Sequence, residues 1–252
     1  MSNDVQVRSG AQAIVRSLID HKVDTVFGIP GVQLDPLFDA FYGESNRLRV
    51  VHTRHEQGAA FMAAGYAQAS GRDGVFAVVP GPGLLNAGAA LSTAVACNAP
   101  VLGITGQVPS KQIRSGMGFA HELRDQLKSS EAIVDWVGRA QHPREVGAML
   151  ADAFAHMHAP RRRCAVFEMA PDQLSAQAPI VDYAPREVLP FAIDAAQVER
   201  AAAVLAKAQR PLIMIGGGAM DAGEQVMALA RRLNAPVIMS NNTIGAVPAS
   251  QP

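Results

Sequence analysis

Cysteine is nearly missing from this chain of 252 residues: Cys97 and Cys164 stand alone, far apart and in apolar surroundings. A disulfide framework is excluded, and two free thiols fit a reducing compartment. Charge is also scarce, at 17% of residues, and balanced, with 22 Lys plus Arg against 22 Asp plus Glu. There is no basic stripe to suit a nucleic acid and no acidic tail to signal disorder. The one dense cluster, Arg161-Arg162-Arg163, directly precedes an expected strand and reads as a solvated loop. No run of about 18 uninterrupted apolar residues offers a membrane-crossing helix, and no basic segment followed by an apolar run offers a signal peptide. The histidines, among them His142, His156 and His158, lack metal-ligand spacing and read as surface, so no metal site is expected. These absences point to a cytoplasmic protein with neither membrane nor nucleic acid as partner. What is plentiful is hydrophobic surface, 49% of residues, enough for one large or two modest domains.

Ser9 can cap a helix whose apolar positions Ala11, Ile14, Val15, Leu18 and Ile19 share one face. A strand is expected at Val23–Ile29, then a helix marked by Leu34, Leu37, Phe38 and Phe41, then a strand at Leu48–Val51. The next helix starts near Glu56 and is poor in large side chains: Ala59, Ala60, Ala63, Ala64 and Ala67 let another backbone approach closely. Strand Val75–Val79, a small-residue helix from Gly83 to about Cys97, and strand Val101–Thr105 follow. Strand and helix alternate at crossover spacing, which predicts an α/β fold with a doubly wound parallel sheet and helices on both faces. From Gln107 to about Ser130 the pattern fails, and a long exposed connection is expected, either functional or a plain surface excursion. A helix from Pro143 to about His158 and a strand at Cys164–Glu168 close this first domain, residues 1–175. Pro179, Pro185 and Pro190 mark residues 176–192 as a linker. Helix Ala196–Ala208, strand Pro211–Ile215, helix Ala222–Leu233 and strand Pro236–Met239 then begin a second α/β domain at 193–252. Two such units leave too much sheet edge open for an ordinary independent domain, so this part reads as a first half.

Three short stretches fall where strands give way to helices: Phe27-Gly28-Ile29-Pro30-Gly31, Thr53-Arg54-His55-Glu56-Gln57-Gly58, and Gly81-Pro82-Gly83-Leu84-Leu85-Asn86. Glycine permits close backbone approach and proline fixes a turn, although ordinary turn chemistry explains each stretch equally well by itself. Glu56 alone is explained as a charge complementing a helix N-terminus. With the later Pro100 to Gln107, however, their order and spacing resemble the pyrimidine-binding domain of thiamine-diphosphate enzymes. The chain is similar to the N-terminal half of the acetolactate synthase-like branch from about Val7 to its C-terminus.

The resemblance implies a thiamine-diphosphate-dependent lyase or carboligase acting on a 2-oxo acid, present here as an N-terminal part. It implies that Glu56 is catalytic, its buried carboxyl group bonding the pyrimidine ring nitrogen and activating the aminopyrimidine. It places Ile29, Pro30, Gly31, Glu56, Pro82 and Asn86 at the cofactor, and Gln107 and Phe119 at the substrate. In such enzymes Phe119, His121 and Glu122 would lie in a loop reaching a neighbouring active site. Mg2+ is implied through a C-terminal domain, and FAD is possible in a Rossmann-like central domain, the second domain here. The Gly216-Gly217-Gly218 turn fails the full dinucleotide spacing because Asp221 takes the last position. Where relatives often carry Thr-Ser before Gly-Pro-Gly, this chain has Val79-Pro80. A homodimer or homotetramer is implied, and the Ala63 and Ala67 face would pack on its counterpart or, alternatively, on its own sheet. A coenzyme A-thioester lyase, or a non-catalytic module that keeps the fold, remains an alternative.

Overall fold

In a computed structural model, the structure describes residues 5–189 and 191–248. The chain forms two compact units, divided after Leu189.

The first unit is built on six parallel strands: β2 (Thr25–Gly28), β3 (Arg49–His52), β4 (Gly74–Val78), β5 (Val101–Thr105), β6 (Trp136–Ala140) and β7 (Ala165–Met169). Their order across the sheet is β3-β2-β4-β5-β7-β6. Every residue of β4, β5 and β7 is buried, as expected of parallel strands covered on both faces. Alternation then sorts their side chains. Val75, Ala77, Leu102 and Ile104 join a core with α1 (Gly10–Asp20), α2 (Asp35–Gly43) and α6 (Val146–Met157). Phe76, Val78, Val101 and Val166 join a second core with α3 (Glu56–Ser70) and α4 (Pro82–Ala96). Gly103 makes room for the largest of these, since a Cβ there would sit 2.6 Å from the Phe76 ring.

Local signals set the helix ends. Ser9 caps α1 in a reciprocal box: its Oγ accepts from the Gln12 amide at 3.1 Å and the Gln12 side chain accepts from the Ser9 amide at 2.9 Å. Helix α3 stops at Gly71, whose φ of 71° suits glycine. The alanine face of α3 packs on its own sheet and on α4: Ala59, Ala60, Ala63, Ala64 and Ala67 are all buried in the second core. That corrects the expectation that Ala63 and Ala67 meet a second copy. Small side chains here let α3 lie close to β4 within one subunit.

Some elements escape the sequence pattern. Short strands β1 (Gln6–Ser9) and β8 (Gln177–Ile180) pair antiparallel, so the proline-marked stretch 176–192 begins as part of the first unit. Strand β6 is the sheet edge beside β7, and its half-buried alternation carries no continuous apolar run. The long connection after β5 is ordered and holds a short helix, α5 (Gln126–Glu131).

In the second unit, β9 (Ile213–Ile215) and β10 (Val237–Met239) pair in parallel. Helix α9 (Gly223–Leu233) places Met227 in a small core with Ile215 and Val247. Helix α8 (Ala195–Leu205) has no buried residue. No helix among the described residues is long and apolar enough to cross a membrane.

Candidate active site at the strand carboxyl ends

From β2 the chain crosses to β3 on one side and then to β4 on the other. The reversal opens a crevice at the carboxyl ends of β2 and β4, the place where open α/β sheets bind ligands. The residues singled out by sequence converge there. Ile29-Pro30-Gly31 leaves β2, Thr53 to Glu56 leaves β3, and Val79 to Gly83 leaves β4.

Glu56 is the first residue of α3 and is half-buried. His55 caps the helix, its Nδ1 accepting from the Gln57 amide at 3.1 Å, so His55 serves the helix terminus and remains exposed. Asn86, one turn into α4, donates through Nδ2 to Glu56 Oε2 at 3.0 Å. Glu56 Oε1 faces Gly83, 3.6 Å from where a Cβ would stand. One carboxylate oxygen is thus held by the protein, and the other lies beside bare backbone.

Gly31 and Gly83 are glycines for a reason the sequence does not show. A Cβ on Gly31 would fall 2.5 Å from Val79 Cγ1, and one on Gly83 would fall 2.7 Å from Val79 Cγ2. Val79 therefore fills the gap between the two turns. Gly81 has φ 60°, and a Cβ there would run into the backbone of His121.

Beneath the turns lies a buried polar network that the sequence reading largely missed. Gln107 is 2% exposed; its Nε2 donates to Glu168 Oε1 at 3.3 Å and its Oε1 accepts from the Val108 amide at 2.8 Å. Gln126, 1% exposed, accepts from the Gly81 amide at 2.8 Å and donates to the Gly106 carbonyl at 2.9 Å and Glu168 Oε2 at 2.8 Å. Glu168 has no exposed surface and also pairs with Arg139.

Phe119 is 37% exposed on the connection after β5. Glu122 organises that loop, accepting from the amides of Gly116 at 2.8 Å, Gly118 at 3.0 Å and Phe119 at 3.1 Å, and from Ser115 Oγ at 3.1 Å. The Gly116 amide foremost, with Phe119, Ser115 and Gly118, holds the Glu122 carboxyl below the usual glutamate range.

Away from this crevice, His142 caps a turn by accepting from the Arg144 amide at 3.2 Å, and His158 bonds Asp73 at 2.7 Å. Arg163 pairs with Asp135 at 2.9 Å. Burial raises the Cys164 thiol to about 12. Among the described residues, no three His, Cys, Asp or Glu side chains gather as a metal site.

Comparison with known proteins adds two matches to family models. One, described as thiamine pyrophosphate enzyme, N-terminal TPP binding domain, matches residues 8–130. The other, thiamine pyrophosphate enzyme, central domain, matches residues 198–252. Among similar proteins is a probable 2-ketoarginine decarboxylase of Pseudomonas aeruginosa, 38% identical over 250 residues, covering 97% of this chain and 44% of the relative. An acetolactate synthase of Mycobacterium bovis is 34% identical over 253 residues, covering 98% and 40%. The acetolactate synthase isozyme 3 large subunit of Escherichia coli is 31% identical over 255 residues, covering 98% and 44%. The chain thus spans less than half the length of each of these relatives.

Proposed function

Because this chain belongs to the thiamine pyrophosphate enzyme family, we propose that its first unit holds the aminopyrimidine half of thiamine diphosphate in the β2/β4 crevice, with Glu56 as the catalytic carboxyl group. The observation that carries this is the Asn86–Glu56 hydrogen bond of 3.0 Å at the switch point of the sheet. Asn86 occupies Oε2, so Oε1 is the atom left to bond a ring nitrogen and to hold or pass a proton. Glutamate at the head of α3 has the reach for this from its backbone position. The Ile29-Pro30-Gly31 turn and Pro82 would flank the ring, and a half-buried carboxylate leaves an open side for it to enter. When bound, thiamine diphosphate supplies the electron sink that 2-oxo-acid chemistry needs.

The activity proposed for the holoenzyme is carboligation or decarboxylation of a small 2-oxo acid, in keeping with the keto-acid name of one relative. Phe119, exposed on the connection after β5, would meet substrate, and Gln107 would form the floor below it. In line with the family resemblance, we assign the diphosphate and Mg2+ to other parts of the holoenzyme. For FAD, the segment to test is Gly216-Gly217-Gly218, which follows β9. Phe61, Met62 and Leu85 on α3 and α4 are exposed at 43%, 43% and 50%; they suit a homodimer or homotetramer in which a second chain closes the crevice. Sedimentation velocity checks this, and a monomer at high concentration excludes it. Two free cysteines suit a cytoplasmic location.

Glu56→Gln in the holoenzyme is the test. Deuterium exchange at the thiazolium carbon, read by proton NMR after acid quench, should slow by roughly 10²-fold or more, the range of a lost acid–base group. An unchanged rate removes Glu56 from the mechanism.

A further inference from the structure

We propose that Gln126 is a positioning residue of the cofactor site, its amide spanning the ends of β4, β5 and β7 and fixing the turn that presents Asn86 to Glu56. The proposal rests on the reading of Glu56 given above. A turn at Gly81 with φ 60° has no regular partner for its N–H, and an orphaned buried amide is costly. Gln126 Oε1 accepts that N–H at 2.8 Å. The same side chain donates its two protons to fixed acceptors, the Gly106 carbonyl at 2.9 Å and Glu168 Oε2 at 2.8 Å. Glu168 is held in turn by Arg139 and by Gln107. Only a primary amide offers one acceptor and two donors in this arrangement.

The segment leading to Gln126 reinforces the placement. The backbone of His121 blocks the space beside Gly81, and the Ala120 carbonyl accepts from Gln33 Nε2 at 3.4 Å. The connection after β5 therefore touches both turns flanking the crevice, and Gln126 is where it is anchored. From Gly81 the chain runs directly into α4, which carries Gly83 and Asn86. Loosening the Gly81 amide loosens the partner of Glu56 Oε2. Gln126 itself is buried under the turn and acts through Gly81 and Asn86.

Two variants separate this role from packing. Gln126→Met keeps the volume and loses every hydrogen bond. Gln126→Glu keeps the acceptor for Gly81 but can donate to Glu168 only while the two carboxyl groups share a proton. The charged groups facing position 126 are Glu168 from β7 and, behind it, Arg139 from β6. Asp125, the cap of its own helix, accepts from the Lys128 backbone amide and pairs with Arg114.

Hydrogen exchange at the Gly81 amide is measured in the 252-residue chain by NMR, relative to unstructured-peptide rates. Gln126→Met should lower protection about tenfold or more, the equivalent of one hydrogen bond. Gln126→Glu should retain protection at acid pH and lose it as pH rises, whereas the wild-type ratio stays flat. In the holoenzyme, both variants should raise the KM for thiamine diphosphate about tenfold or more, with a smaller change in kcat at saturating cofactor. Unchanged Gly81 protection overturns the proposal, and so does altered protection with an unchanged cofactor KM. If Gln126→Met does not fold, the pH response of Gln126→Glu decides alone. A Glu56→Gln variant with normal thiazolium exchange sinks the catalytic reading instead, and it leaves the Gly81 amide result intact, so the two failures are distinguishable.

Discussion

Gly83→Ala sets two effects of known sign against each other. Gly83 is the second residue of α4, where alanine is the better helix former by up to ~1 kcal/mol. Against this, the added Cβ lies 2.7 Å from Val79 Cγ2, well inside contact distance. Val79 is β-branched and stiff at χ1, so its methyls cannot swing aside freely, and the other one reaches toward Gly31, 2.5 Å from the position a Cβ there would take. Overpacking of this kind costs about 1–3 kcal/mol, so the net effect should be a destabilisation of about 1–2 kcal/mol. For a unit of this size the melting temperature should fall by about 2–8 °C. Thermal unfolding followed by circular dichroism measures it. The decisive step is a double-mutant cycle with Val79→Ala, which removes the obstructing methyls. The alanine at 83 should then be tolerated, giving a favourable coupling of about 1–2 kcal/mol. Additivity within ~0.5 kcal/mol would refute the account of Val79 as the wedge between the turns. The new methyl would stand 3.6 Å from Glu56 Oε1, an ordinary contact, so the Asn86–Glu56 bond should survive the substitution.

Two further predictions concern charge. The Glu122 carboxyl is depressed by the amides it receives, Gly116 first, so its ordering of the loop is complete above the unfolded glutamate value and is lost as pH falls through the lower folded value. Measured against unstructured-peptide rates, amide protection at Gly116 and Gly118 should fall on acidification, and Glu122→Gln should lower it already at neutral pH; equal protection in variant and wild type would contradict the role of the carboxylate. His158 is raised from the ordinary 6.5, chiefly by its hydrogen bond to Asp73, so its contribution is full below that value and fades as pH rises through the folded pKa. His21, lowered by burial, works oppositely and loses its contribution on acidification. Asp73→Asn should therefore flatten the alkaline limb of stability against pH while leaving the acid limb, and NMR titration of the His158 ring should show its pKa fall.

The fold was legible where burial is two-sided and repetitive. Apolar runs such as Val75 to Val78 and Val101 to Ile104 lie in strands buried at every position, so composition alone reports them. The Ser9 cap is local chemistry and was equally readable. Strand β6 was not, because an edge strand is half-solvated and Trp136 to Ala140 mixes glycine and arginine with apolar residues. Strands β1 and β8 stabilise one another across 174 positions, as the Arg8–Asp182 pair beside them shows, and neither has a periodic signal of its own.

The candidate site divides along the same physical line. Ile29, Gly31, Glu56, Pro82 and Asn86 stand at strand-to-helix junctions, and junctions advertise themselves through Gly, Pro and a charge in the first turn. Val79 gave no such signal, since a valine just past a strand looks like any other, and its meaning comes from two glycines 48 and 4 residues away. Gln126 was harder still. It lies in a six-residue helix within a stretch lacking periodicity, and its buried partner Glu168 is 42 positions distant. A buried amide is affordable only when every donor and acceptor is met, and that condition is a property of three strand ends brought side by side. Turns can therefore be read from sequence as candidate places for meeting a ligand, while the groups that hold those turns at the right height become visible only once the sheet order is known.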